Sequence, residues 1–79
     1  MMRSEIARLR EQIELELVAM ERGMHGLALG TARHTFIQAR MERIGEYQDT
    51  LASEVGDTTA TQIVCELYVD VMEKEFLRL

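Results

Sequence analysis

Two histidines and a glutamate near the middle of the chain have the residue types of a metal site. His25 and His34 flank a glycine-rich stretch, and Glu21 precedes His25 by about one helical turn. Two imidazoles and a carboxylate can bind a metal ion and leave a coordination position open. The Glu-x-x-x-His spacing differs, however, from the Glu-x-x-His of di-iron helical bundles. We therefore expect solvated histidines beside a turn, with neither a metal nor another cofactor.

Arginines placed among apolar residues are the second group that could do chemistry. Arg33 and Arg40 fall within the apolar stripe of the second predicted helix, and Arg10 lies on the first helix. An unpaired guanidinium removed from water costs several kcal/mol, so it needs a carboxylate, a backbone carbonyl or a bound anion. These three arginines are therefore candidates for an anion-binding pocket between helices. The alternatives are an ion pair within the protein, or methylene stems that carry the charge to the surface.

No pattern of a catalytic site accompanies these residues. The one cysteine, Cys65, excludes an internal disulfide, and no residue near it in sequence would activate its thiol. Phosphate-binding glycine loops, nucleophile elbows and zinc-ligand spacings are all missing from the sequence. We therefore identify no catalytic residue, and the sequence favours a noncatalytic protein over an enzyme.

The composition is typical of a small all-α protein. Of the 79 residues 47% are hydrophobic and 29% are charged, while proline is absent and only 5% are aromatic. A β-sheet fold of this size would need more turn and β-branched residues. The net charge of −5 disfavours nucleic acid and anionic membranes as partners. We expect one soluble, acidic, cytoplasmic domain over residues 1–79, with residues 1–3 as a mobile N-terminus.

Apolar residues at helical spacing divide the chain into three amphipathic helices. Gly30 and Gly56 stand where a glycine commonly closes a helix. Because three helices of this length exceed the dimensions of a compact globule, we expect an elongated antiparallel bundle. A single bent rod made of the first two helices is the alternative, since glycine inside a helix costs only about 1 kcal/mol. The predicted helices cover about 4–29, 31–55 and 58–78.

The third helix carries a second apolar stripe in addition to the one that a core requires. A surface helix of a small monomer needs about a third of its circumference to be apolar, whereas these two stripes cover roughly two thirds. Two apolar residues of the first helix also lie off its main stripe. We expect all of these residues to complete the bundle by oligomerisation, most simply in a twofold dimer. The predicted interface consists of Cys65, Val69, Met72, Phe76, Leu15 and Val18.

Residues 6–13 (IARLREQI) resemble the opening helix of the all-α chorismate mutases. That family comprises small three-helix dimers that bind a dicarboxylate with arginines. The resemblance implies site roles for Arg10, Arg33, Arg40 and Glu42. The chain departs from the family pattern, because no lysine lies between the first two helices and no proline precedes the second. The resemblance is confined to this short amphipathic segment, and we assign no family from it.

Together these features predict a small homo-oligomeric helical protein. We expect a regulatory or adaptor module that acts through helix–helix contacts, with itself and with an unidentified protein as partners. The alternative is a protein that binds an anionic small molecule, or a small all-α enzyme, with an arginine-lined pocket between helices. The sequence leaves open whether the oligomer is a dimer or a tetramer.

Overall fold

Three helices contain all but one of the described residues. The structure, a computed structural model, describes residues 3–26 and 31–78, and it describes side chains over residues 5–24 and 32–77. The helices are α1 (Arg3–Gly26), α2 (Thr31–Val55) and α3 (Asp57–Arg78). Each helix packs against the other two, so the predicted all-α bundle is confirmed.

Helices α1 and α2 lie side by side and run in opposite directions. The Tyr47 hydroxyl donates a hydrogen bond to Oε1 of Gln12 over 3.4 Å. Farther along α1, Gly23 lies against the ring of Phe36, which precedes Tyr47 in α2. Residue numbers therefore fall along α2 as they rise along α1. This arrangement shows that the alternative of one merged rod is wrong.

A single residue, Gly56, joins α2 to α3. Its amide donates to the carbonyl of Ala52 over 2.8 Å, and its carbonyl accepts from the amide of Ala60 over 3.0 Å. Gly56 has a φ of 92°, in the left-handed region that residues with a Cβ adopt only at a cost. Beyond this turn, Nε2 of Gln48 donates to Oγ1 of Thr61 over 3.3 Å. The two helices therefore form a hairpin.

Helix α3 runs in the same general direction as α1. Arg10 of α1 lies beside Cys65, in the first half of α3. Later in both helices, Nε of Arg22 lies 3.0 Å from Oε1 of Glu75. Contacts thus advance along both helices together, and the chain runs up, down and up again.

The core lies where the three helices meet. All three helices contribute apolar side chains that recur every three or four residues, because that spacing returns to the same face of a helix. The bundle measures 41 × 27 × 19 Å and has a radius of gyration of 13.3 Å. It is therefore elongated, as predicted. The buried apolar residues are Leu9, Ile13, Leu17, Ile44, Leu51, Ala60, Leu67 and Val71.

The predicted helix boundaries agree closely with the observed ones. Helix α2 has the predicted bounds, whereas α1 and α3 each begin one residue earlier than predicted, at Arg3 and Asp57. The early start of α3 follows from the conformation of Gly56, which lets helical hydrogen bonds begin at that residue. The predicted end of the first helix, at Leu29, lies outside the described residues. No described helix is both long and apolar enough to cross a membrane.

Candidate functional site

Four apolar side chains form a line along α3, and three of them are exposed. We call this line the outer seam; it consists of Cys65, Val69, Met72 and Phe76. Val69 is 53% exposed and Phe76 is 71% exposed. Cys65 is also exposed, whereas Met72 is half-buried and packs against the core. The outer seam is therefore an apolar surface that solvent reaches in the single chain.

The same helix supplies the core from its opposite face. Leu67 and Val71 are buried, and each is two residues from Val69 in sequence. Two residues correspond to about 200° of rotation around a helix, so these side chains point in nearly opposite directions from Val69. Helix α3 is therefore apolar on two sides, as the two stripes in its sequence predict.

The two predicted interface residues of α1, Leu15 and Val18, differ in exposure. Leu15 is exposed, whereas Val18 is half-buried and packs against the core of its own chain. Instead, Arg10 and Glu21 line the surface next to α3. The contribution of α1 to this surface is therefore mainly polar.

Two open grooves lie along the outer seam. Arg10 and four residues of α3 line the first groove, which has a volume of about 460 Å³. The second groove has a volume of about 380 Å³ and is lined by Glu21 together with Met72, Glu73 and Phe76. Both grooves are shallow surface features. The seam thus offers an elongated contact surface, which suits a helix better than an enclosed small molecule. The α3 residues of the first groove are Cys65, Glu66, Val69 and Asp70.

Acidic side chains follow one edge of the outer seam. Glu66, Asp70 and Glu73 are all exposed and are spaced i, i+4 and i+7, which puts them on one side of the helix. Two of them, Glu66 and Asp70, share the first groove with Arg10. Their carboxylates make this groove a poor site for an anion, even though an arginine lines it.

The predicted arginine Arg40 has a carboxylate partner inside the bundle. Its Nη1 lies 3.0 Å from Oε1 of Glu16, and Nε of Arg43 lies 3.0 Å from Oε2 of the same glutamate. The Glu16 side chain is only 10% exposed and that of Arg40 is 25% exposed. The Arg40 guanidinium also lies 5.3 Å from the centre of the Phe36 ring, within the range of a cation–π interaction. Of the alternatives open from the sequence, Arg40 therefore adopts the internal ion pair.

The geometry of this cluster leaves some polar atoms without hydrogen bonds. Oε1 of Glu16 is close enough to Arg40 to form an ion pair, but it accepts no well-aligned hydrogen bond. Nε of Arg40 is also buried and donates no hydrogen bond. Arg43 is about half exposed. Tyr47, and to a lesser degree Glu16, raise the pKa of the Arg43 guanidinium above its usual value. The cluster is therefore mainly electrostatic, with one nearly buried carboxylate between two cations.

The three arginines proposed for an anion pocket are not brought together. Arg33 donates a hydrogen bond through Nη2 to the carbonyl of Met24. Arg40 binds Glu16, and Arg10 lies beside α3. Met24 and Arg10 are 14 residues apart on α1, which corresponds to about 21 Å along the helix. No shared pocket therefore forms from these three side chains in the described part of the chain.

Two members of the metal site considered from the sequence, Glu21 and His34, have described side chains. Within the residues whose side chains are described, no group of three or more potential ligands is close enough to hold a metal ion. His34 is exposed on α2, and Glu21 lies beside Met72 and Phe76. The side chain of His25 lies outside the described residues.

Sequence reasoning missed the two nearly buried acids. Glu16 follows Ile13 by three residues and Leu9 by seven, so it falls on the buried stripe of α1. Glu75 follows Val71 by four residues, on the core side of α3, and pairs with Arg22. Both residues could therefore have been identified as acids that stand at helical spacing from predicted core residues.

Neither family models, curated proteins nor solved structures give a significant match to this chain.

Proposed function

We propose that this protein is a noncatalytic interaction module that forms a homodimer through the outer seam of α3. The supporting observation is the exposure of Val69 and Phe76 on a helix whose opposite face already fills the core. Complete burial of a valine or phenylalanine side chain contributes roughly 1.5–3 kcal/mol relative to full exposure. A partner helix over the seam would bury the exposed parts of Val69 and Phe76, and this burial would stabilise the dimer.

A second copy of the chain is the occupant that we favour. In a twofold contact each apolar residue of the seam is buried twice, once on each copy. A stable interface buries about 800 Å² on each partner, which is more than four side chains supply. The remaining area would come from Tyr68 of α3, which is exposed, and from Arg10 and Glu21 of α1, which line the grooves beside the seam.

This mode of action fits a regulatory or adaptor role. A module whose contact surface is one helix face acts by bringing chains together rather than by transforming a substrate. The exposed thiol of Cys65 fits a reducing compartment such as the cytoplasm, since a protein with a single cysteine has no internal disulfide to maintain.

An anion-binding protein or small enzyme is the weaker candidate. Its premise was that arginines in an apolar stripe lack protein partners. Arg40 has Glu16 and Arg33 has the carbonyl of Met24. Both arginines therefore have a partner within the protein, although Nε of Arg33 is buried without a hydrogen bond.

The first test is the solution mass by light scattering, over a hundredfold range of protein concentration. We expect a mass near twice that of the 9.1 kDa chain at high concentration, falling toward one chain on dilution. The buffer should contain about 0.15 M salt, so that repulsion between two acidic chains is screened. A mass of one chain at every concentration would overturn the proposed homodimer.

The second test places charges on the seam. In the variant with Val69→Glu and Met72→Glu, we expect the mass of a monomer, because the dimer would bury four carboxylates without partners. Met72 also contacts the core, so Val69→Glu alone, at an exposed position, separates dissociation from unfolding. Circular dichroism checks that the helices are retained.

A matched control carries the same charges on another helix. Thr35→Glu with Gln38→Glu adds two glutamates at the same spacing, at exposed positions of α2. We expect this variant to keep the mass of the parent protein. A dimer that persists in Val69→Glu would exclude the outer seam as the interface.

A further inference from the structure

The outer seam has the spacing of a coiled-coil contact. Its members follow one another by four, three and four residues, which is the alternation of d and a positions in a heptad. Cys65 and Met72 then occupy d positions, and Val69 and Phe76 occupy a positions. Leu67 and Val71 fall at the f and c positions, away from the seam, and are buried in the core. A helix that packs on the seam would therefore leave Leu67 and Val71 in place and would contact the exposed side of Met72, which also packs against the core.

The residues beside the seam differ in charge between its two edges. In the same heptad, Glu66 and Glu73 take the e positions on one edge. Thr61 and Tyr68 take the g positions on the other edge, and neither is charged. The next g position is Glu75, whose carboxylate is paired with Arg22 of its own chain.

These edges distinguish the two ways in which a second copy of α3 can pack. In an antiparallel pair the e positions of the two helices face each other. Glu66 of each copy would then lie near Glu73 of the other, which places exposed like charges together twice. In a parallel pair the g positions face the e positions, so Tyr68 lies near Glu73 and Thr61 near Glu66 of the second copy. Hydroxyl groups then oppose carboxylates and can donate hydrogen bonds to them.

We propose that the two copies pair through parallel, in-register α3 helices, with Cys65 of one copy opposite Cys65 of the other. This inference rests on the homodimer proposed above and specifies its geometry. The twofold axis then runs along the seam, between the two helices. Both bundles lie on the outer sides of the pair, because the core face of α3 points away from the seam.

Oxidative cross-linking tests this geometry directly, because Cys65 is the single cysteine of the chain. In the parallel pair, the two Cys65 side chains face each other within the roughly 7 Å between Cα atoms that a disulfide can span. In an antiparallel pair centred on the seam, Cys65 would face Phe76, and the two cysteines would be about 16 Å apart along the helices. Only the parallel pair therefore forms the disulfide without a large rearrangement.

The reagent is diamide, a diazene that oxidises thiols. The two Cys65 thiols lose two protons and two electrons and form one S–S bond, while the N=N bond of diamide is reduced to a hydrazine. We expect a cross-linked product of twice the chain mass on a non-reducing gel, and its loss on reduction. The rate should be nearly independent of protein concentration once dimer predominates.

Two controls separate this product from random collision. Val69→Glu keeps Cys65 but should lose rapid cross-linking together with the dimer, whereas Gln38→Glu on α2 should retain both. The parent protein unfolded in urea should cross-link slowly, and in proportion to its concentration. Rapid cross-linking that persists in Val69→Glu, or in urea, would contradict the proposed pairing.

Charge substitutions give a second readout that does not use the thiol. Thr61→Lys places a cation opposite Glu66 in the parallel pair, and we expect it to lower the dissociation constant roughly three- to fivefold at low salt. Beyond the general effect of a smaller net negative charge, Glu73→Lys would tighten only the antiparallel pair, where it faces Glu66 of the second copy. Thr35→Lys, at an exposed position of α2, adds the same charge as Thr61→Lys away from the seam.

The outcomes separate the two proposals. A dimer that cross-links through Cys65 and is tightened by Thr61→Lys, relative to Thr35→Lys, supports the parallel pair. A dimer that resists cross-linking and is tightened by Glu73→Lys overturns the parallel pair and leaves the homodimer in place. A monomer at every concentration overturns both.

Discussion

Glu16 of α1 and Arg40 of α2 form an ion pair in the interface between the two helices, with 3.0 Å between Oε1 and Nη1. The carboxylate is nearly buried and lies between Arg40 and Arg43. The negative charge of Glu16 therefore balances the positive charges of Arg40 and Arg43 at this interface. The pair accounts for an arginine at a core-facing position without any bound anion.

Removal of the Glu16 charge should destabilise the protein. We expect Glu16→Gln to lower the free energy of unfolding by about 1–3 kcal/mol, because Arg40 loses its partner while it is largely buried. Glu16→Met combined with Arg40→Met should recover most of this loss, since apolar pairs commonly replace buried ion pairs without cost. Urea unfolding at one fixed protein concentration measures each value. Glu42→Gln, at an exposed position of α2, is the control. Equal stability of Glu16→Gln and the parent would mean that solvent stabilises the charges of Arg40 and Arg43 without help from Glu16.

Gly23 and Gly45 should respond oppositely to the same substitution. A Cβ on Gly23 would overlap Cε2 of Phe36 and lie 2.8 Å from Cδ2, whereas a Cβ on Gly45 meets nothing within 4 Å. We expect Gly45→Ala to raise the free energy of unfolding by about 0.5–1 kcal/mol through helix propensity. Gly23→Ala should lower it by about 1–2 kcal/mol, because the displaced ring disturbs its contact with Arg40. Thermal and urea unfolding measure both. A stabilising Gly23→Ala would show that the ring moves aside freely.

The joint between α2 and α3 should not tolerate a side chain. At a φ of 92°, Gly56→Ala should cost about 1–2 kcal/mol of unfolding free energy, because the new Cβ crowds the following carbonyl. Asparagine enters the left-handed region more readily, so Gly56→Asn should cost less than Gly56→Ala. Urea unfolding of the two variants gives the comparison. If Gly56→Ala and Gly56→Asn lower the free energy of unfolding by the same small amount, residue 56 can adopt another backbone conformation.

The first turns of α1 should show a pH-dependent ion pair. Arg8 donates to Oε2 of Glu5 over 3.1 Å, and this hydrogen bond lowers the pKa of the Glu5 carboxyl below its ordinary value of 4.5. Its stabilising contribution is therefore complete above the unfolded pKa and is lost as the pH falls through the lower folded pKa. We expect Arg8→Ala to raise the pKa of Glu5, as measured by carboxyl NMR titration. An unchanged pKa in this variant would exclude Arg8 as the cause of the shift.

The sequence predicts the helices well because their signals are local. Apolar residues at helical spacing and a glycine at position 56 fix the bounds of α2 and nearly those of α3. The pairing of Glu16 with Arg40 and the fit of Gly23 to Phe36 join residues far apart in the chain. Each depends on the rotation of two helices about their axes, which periodicity alone does not set. The sequence therefore indicated that Arg40 needed a partner, but it did not identify that partner.

The one-residue connection at Gly56 restricts the movement of α3 relative to α2. A residue spans at most about 3.6 Å, so α3 can tilt only through the backbone dihedrals of this glycine or by bending a helix. A force that displaces α3 at the outer seam would therefore also displace α2, because the two helices move together. Several flexible residues inserted after Gly56 would uncouple the two helices mechanically while leaving the outer seam intact.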